Sequence, residues 1–143
     1  MKISAILDRK KPGVTTVDIM STLKPAAQLM ARHRIAALVV TENGAPVGLF
    51  SERHIVEAFA DLGKFAEEMR IRQVIDRLLL TVSPEDTVKR AMSLMTHTRV
   101  RHLPVMDENK LVGILSLGDV VKHHLEELDL EANVLRDIYV AAR

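Results

Sequence analysis

The stretch RHLPVMDENKLVGILSLGDVV, Arg101–Val121, restates an earlier one, AALVVTENGAPVGLFSERHIV, Ala36–Val56, sixty-five residues upstream. Each copy runs through an apolar strand, a polar turn and a second apolar strand, then reaches Gly-x-x-Ser and a helix. Three residues after the serine, one copy places Asp119 and the other His54. The register holds well outside these stretches. It pairs Thr16 with Thr81, Thr22 with Thr87, Ala26 with Ala91, Leu29-Met30 with Leu94-Met95 and Arg34 with Arg99. A repeat at a fixed offset decides the architecture before any other signal does.

Each copy reads as strand, helix, strand, strand, helix. TTV (15–17) and LLLTV (78–82) are short apolar or β-branched runs that lead into helices beginning near Ser21-Thr22 and Asp86-Thr87, side chains suited to capping free amides. Val88, Met92 and Met95 recur at helical spacing, and this methionine stripe reads as core. Asn43-Gly44 is a hairpin signal, matched by DENK in the second copy. Gly63 is the expected stop of the helix that follows Ser51. The expected layout is a first motif with its N-terminal segment over 1–63, a linker helix over 64–77, a second motif over 78–128 and a C-terminal helix over 129–143. Neither small sheet covers its apolar face alone, so the α+β reading packs the two copies about a pseudo-twofold axis.

With 143 residues, 48% of them hydrophobic and 27% charged, the chain has the balance of a globular domain that buries its own core. It contains no cysteine, which removes disulfides and thiolate metal sites and fits a reducing compartment. No apolar run approaches the roughly 18 residues of a membrane span, and the N-terminus does not read as a signal peptide. The expected location is cytoplasmic. A net charge of +1 and 3% aromatic residues leave neither a field nor a stacking platform for nucleic acid. The cluster Arg9–Lys11 reads as a solvated arm.

These motifs, RVRHLPVMDENKLVGILSLGDVV and GLFSERHIV above all, resemble a tandem pair of CBS (cystathionine β-synthase-type) domains, over about Val14 to Leu128. The resemblance is strongest to small stand-alone bacterial members. It implies two motifs packed about a pseudo-twofold axis, with an adenosine-containing ligand in a cleft between them. It also implies a first cleft of Ser116 and Asp119 against Thr15, Ala36 and Ala37, with Lys10 in reach. A second would join Ser51, Arg53 and His54 to Leu80, Arg101 and His102, with Arg72 nearby. AMP, ATP, NAD and S-adenosylmethionine share the adenosine part, and the sequence does not rank them.

Chemistry distinguishes the two clefts. A carboxylate accepts both hydrogen bonds of a ribose diol, and charge-assisted bonds of this kind contribute about 1.5–3 kcal/mol each. Asp119 also fits a helix-start acid that favours the macrodipole. Neutral histidine has one acceptor nitrogen and protonated histidine none, so His54 does not accept both hydrogen bonds of a diol. Its cleft instead gathers cations that suit phosphate. Exposed ion pairs of Arg53 and Arg101 with acids such as Glu52 and Asp107 are the alternative.

No P-loop, Rossmann glycine pattern or nucleophile–base set is present, so no enzyme and no catalytic cofactor are expected. The histidines His97, His102, His123 and His124 lack acidic partners at ligand spacing, and no metal is expected. Leu130, Val134, Ile138 and Ala141 recur at helical spacing, with Leu135 and Tyr139 widening the face. That helix suits either a homodimer contact or packing on its own domain. The functional expectation is a nucleotide sensor that signals to a separate effector protein. The competing expectation is a dimerisation scaffold that binds no nucleotide.

Overall fold

The computed structural model describes residues 1–77 and 79–142. In chain order the elements are α1 (Ile3–Leu7), β1 (Thr16–Asp18), α2 (Leu23–His33), β2 (Ala37–Glu42), β3 (Ala45–Ser51) and α3 (Glu52–Leu62). Two 3-10 segments, Gly63–Glu68 and Ile71–Gln73, follow; α4 (Val88–Thr98), β4 (His102–Asp107), β5 (Lys110–Ser116) and α5 (Leu117–Ala141) complete the chain. The first sheet has the order β1-β2-β3, with β1 parallel and β3 antiparallel to β2. The second is the β4-β5 hairpin. Val40 pairs with Gly48 as Val105 pairs with Gly113, and a bulge follows at the same place in each hairpin. The sequence repeat is thus a repeat of strand register.

The turns and helix ends follow local chemistry. Asn43 and Gly44 both have positive φ, 52° and 81°, as the tight hairpin demands. Glu108 and Asn109 take the same left-handed region in the second hairpin at 47° and 67°. Thr87 caps α4 by accepting the Arg90 N–H at 3.1 Å. Each motif closes over its own core. Leu38, Val40 and Phe50 pack with α2 in the first, and Leu103, Val105 and Leu115 pack with α4 in the second.

The first strand of the second copy differs from expectation. Of LLLTV, Leu78 lies outside the described residues, and the rest contributes one parallel bridge, Val82 to Val105. Two prolines explain the loss. In the first copy the Val39 N–H donates to the Thr15 carbonyl and the Ile19 N–H to the Thr41 carbonyl. Pro104 and Pro84 stand at the equivalent places and have no N–H to give.

The expected linker helix is also absent as an α-helix; the two 3-10 segments take its place. Its amides are used elsewhere: the Ile71 N–H donates to Ser21 O at 2.9 Å and the Arg72 N–H to Ile19 O at 3.1 Å. The N-terminal segment makes the same bonds to the other motif. There the Ile3 N–H donates to Asp86 O at 2.9 Å and the Ser4 N–H to Pro84 O at 3.0 Å. KISAILDR (2–9) and RIRQVIDR (70–77) are therefore equivalent segments, each laid on one motif. Leu7 sits where a Cβ on Gly113 would fall, and Ile75 lies over Gly48. The N-terminal segment, read with the first motif, packs into the core of the second through Ile3 and Ile6. At the other end, α5 runs without a break through residue 129, so the separate C-terminal helix is its continuation.

Candidate functional site

The starts of β2 and β4 and the N-terminus of α3 face one another across the two motifs and enclose a cavity of about 910 Å³. All six residues of the expected second cleft line it: Ser51, Arg53, His54, Leu80, Arg101 and His102. Ala36 and Ala37, expected beside Asp119, line this cavity as well. Arg72 does not reach it. Thr15, Lys10, Ser116 and Asp119 are not among its lining residues, so the structure separates Ala36 and Ala37 from the rest of the expected first-cleft set.

Four arginines, Arg53, Arg77, Arg99 and Arg101, and two carboxylates, Glu52 and Asp76, line the cavity. Arg53 is held by Glu57 at 2.7 Å, and Arg77 by Glu42 at 2.6 Å. The expected Arg53–Glu52 pairing gives way to the i,i+4 partner one helical turn on. Among the described residues Arg99 and Arg101 form no ion pair, so their guanidinium groups are the ones open to a ligand. Sequence reading passed over Asp76, Arg77 and Arg99. The signal for the first two was the IDR of residues 75–77 against the LDR of residues 7–9.

His54 and Asp119 do the same structural work. Each is the third residue of its helix and closes a capping box with the serine before it. The Ser51 N–H donates to His54 Nδ1 at 3.0 Å, and the Ser116 N–H donates to Asp119 Oδ2 at 2.9 Å. With Nδ1 accepting, the neutral His54 ring carries its hydrogen on Nε2. The ring stacks on Phe50 with centroids 5.8 Å apart. Burial, and next the Arg53 charge, push its pKa below the ordinary histidine value. His54 therefore offers a donor where an acid would offer acceptors.

Asp119 meets a cation instead. Lys10 Nζ donates to Asp119 Oδ2 at 2.7 Å and to the Ile114 carbonyl at 2.8 Å. Burial pushes the Asp119 carboxyl up, but the Lys10 hydrogen bond and the Ser116 backbone and side chain outweigh it and hold the pKa below the usual value. His102 lies between the two places, lining the cavity and pairing with Ser116 across the β4–β5 hairpin. Burial, and next Lys10, lower its pKa, with Asp119 and Glu52 opposing.

His123 is buried beside the Met1 sulfur, with Glu127 at 3.8 Å. Among the described residues no group of three His, Cys, Asp or Glu side chains gathers for a metal ion. No helix among them is long and apolar enough to cross a membrane.

Two motifs in one register, equivalent capping boxes and a cavity between them define a CBS domain pair. The CBS domain family model matches residues 6–61 and 67–126, and the chain belongs to that family. The mitochondrial CBS domain-containing protein CBSX3 of Arabidopsis thaliana is 35% identical over 116 residues, 75% of this chain. This chain matches 56% of that protein's length. The crystal structure of the CBS-domain protein ATU1752 from Agrobacterium tumefaciens superposes with a TM-score of 0.81 at 34% identity, covering 85% of this chain and 91% of that one. Hypoxic response protein 1 of Mycobacterium tuberculosis is 28% identical over 81% of this chain and 82% of its own. A crystal structure of Hypoxic Response Protein I, described as holding two coordinated zinc ions, has a TM-score of 0.71, is 27% identical and covers 86% of this chain and 98% of that one.

Proposed function

We propose that this CBS pair is a regulatory sensor, without catalysis, that binds an adenosine-containing nucleotide (AMP, ATP, NAD or S-adenosylmethionine) between its motifs. The observation that carries the reading is the cavity of about 910 Å³ built by both motifs, within the size range of small-molecule sites. Small Ala36 and Ala37 leave room for a flat purine against the backbone. Arg99 and Arg101 are the partners for phosphate oxygens. Glu52 and Asp76 supply the carboxylate acceptors for ribose hydroxyls that His54 lacks. Asp119, with Ser116, Thr15 and Lys10, forms the second place for such a ligand, and there a ribose diol competes with the Lys10 ammonium.

Because the cavity is walled by both motifs, a ligand that prefers one arrangement of them shifts the pair toward it. The reading places the protein in the cytoplasm as a homodimer acting on a separate effector protein. Its test is calorimetric titration of nucleotide-free protein with AMP, ATP, NAD and S-adenosylmethionine. Micromolar binding of at least one, lost in Arg101→Ala, is expected. Loss in Asp119→Ala with Arg101→Ala unaffected would move the ligand to the other cleft. Absence of binding by all four would overturn the sensor and leave a scaffold, the reading that the exposed apolar residues of α5 favour.

A further inference from the structure

The last buried residues of α5 are Val120 and His123, yet the helix runs on to Ala141, past the end of the family match at residue 126. Leu125, Leu128, Leu130, Val134, Leu135 and Ile138 are between 46% and 67% exposed. The C-terminal face therefore does not pack on its own domain, one of the two arrangements its spacing allowed. The apolar residues also carry a register. Val121, Leu125, Leu128, Ala132, Leu135, Tyr139 and Ala142 follow one another at alternating steps of four and three. That is the heptad seam of a two-stranded coiled coil, with leucines at two of its d positions. The seam lies roughly 130° around the helix from Val120 and His123, so the domain's own body does not cover it.

We propose that α5 pairs with α5 of a second copy as a parallel, in-register coiled coil along this seam. The charges beside the seam select both the occupant and the direction. In parallel pairing a g position faces the e position five residues on in the other strand. Glu131 then meets Arg136 of the second copy, and His124 meets Asp129 of the second copy, each twice by symmetry. One antiparallel register opposes Asp129 with Asp129 and Lys122 with Arg136. The other pairs Asp129 with Arg136 but uses the seam only from Leu125 onward. The parallel arrangement alone uses every layer from Val121 to Ala142. This inference rests on the homodimer of the proposed function and not on nucleotide binding.

The test is sedimentation equilibrium of the full chain at about 50 µM, where a pair that forms with micromolar affinity is populated. The wild type is expected at twice 16.0 kDa, and Leu128→Glu/Leu135→Glu at 16.0 kDa with an unchanged far-UV spectrum. Leu130→Glu/Val134→Glu, off the seam, is expected to remain dimeric. Ala132→Cys supplies the sole thiol in a chain without cysteine and is expected to form an interchain disulfide on mild oxidation. A monomeric wild type would overturn the proposal, as would a seam variant that stays dimeric. Loss of the dimer in the off-seam variant would do the same. Failure of Ala132→Cys to cross-link a dimer would overturn the parallel register. Nucleotide titration reads none of these outcomes, so the two readings fail separately.

Discussion

Replacing Ile3 by alanine tests whether the N-terminal segment is part of the fold or a detachable arm. Ile3 is fully buried among Val82, Val88 and Leu103 of the second motif. Its equivalent, Ile71, is fully buried in the first. Truncating a buried isoleucine to alanine removes its transfer energy and leaves a cavity, together about 2–5 kcal/mol. Against a total stability of about 5–15 kcal/mol for a domain of this kind, that is a large fraction. With a urea dependence of about 2 kcal/mol per molar, the middle of the usual range, the denaturation midpoint should fall by about 1–2.5 M. Ile3→Ala and Ile71→Ala should shift it by similar amounts, because the backbone around each makes the same 2.9 Å bond to its motif. A loss below about 1 kcal/mol for Ile3→Ala beside a full loss for Ile71→Ala would refute the equivalence of the two segments.

Two further outcomes concern the charged groups between the motifs. His54 and His102 have folded pKa values below the ordinary one, chiefly through burial, so their contribution is fully present above the unfolded value of about 6.5 and is lost as pH falls from there through the folded values. Urea midpoints should therefore decline as pH falls below about 6.5, with a shallower slope in His54→Gln and His102→Gln; an unchanged slope in both would contradict this. Asp119 also has a lowered folded pKa, so its stabilisation is present above the unfolded value of about 3.9 and is lost as pH falls through the folded value. Lys10→Met, which keeps the apolar stem, should cost about 1 kcal/mol at neutral pH and reduce that acid loss, as read by urea unfolding at both ends of the range.

The repeat made much of this protein legible before any coordinates. Strand register, hairpin turns and capped helices follow from side-chain chemistry that acts within a few residues or is written twice, whereas the grouping of the second-cleft residues came from the family resemblance. Local signals did not reveal the partners of the segments outside the repeat. KISAILDR resembles RIRQVIDR in sequence, but the choice of motif on which each lies depends on amide acceptors some fifty to eighty residues away. The missing first strand of the second copy depends likewise on Pro104 and Pro84, which have no N–H to give on either side of the Val82–Val105 bridge.

The site divides along the same line. The sequence by itself determined that His54 and Asp119 are equivalent, and that His54 lacks the paired acceptors of the acid. The capping bond from the Ser51 N–H to Nδ1 then left the ring a donor at Nε2. Tertiary structure decided that Lys10, carried in by the N-terminal segment, holds Asp119. It also decided that Ala36 and Ala37 face the histidine side rather than the acid side, and that Asp76, Arg77 and Arg99 complete the wall there. A side chain's chemistry is intrinsic to its residue, whereas its neighbours across a cavity are set by how two separately closed cores dock.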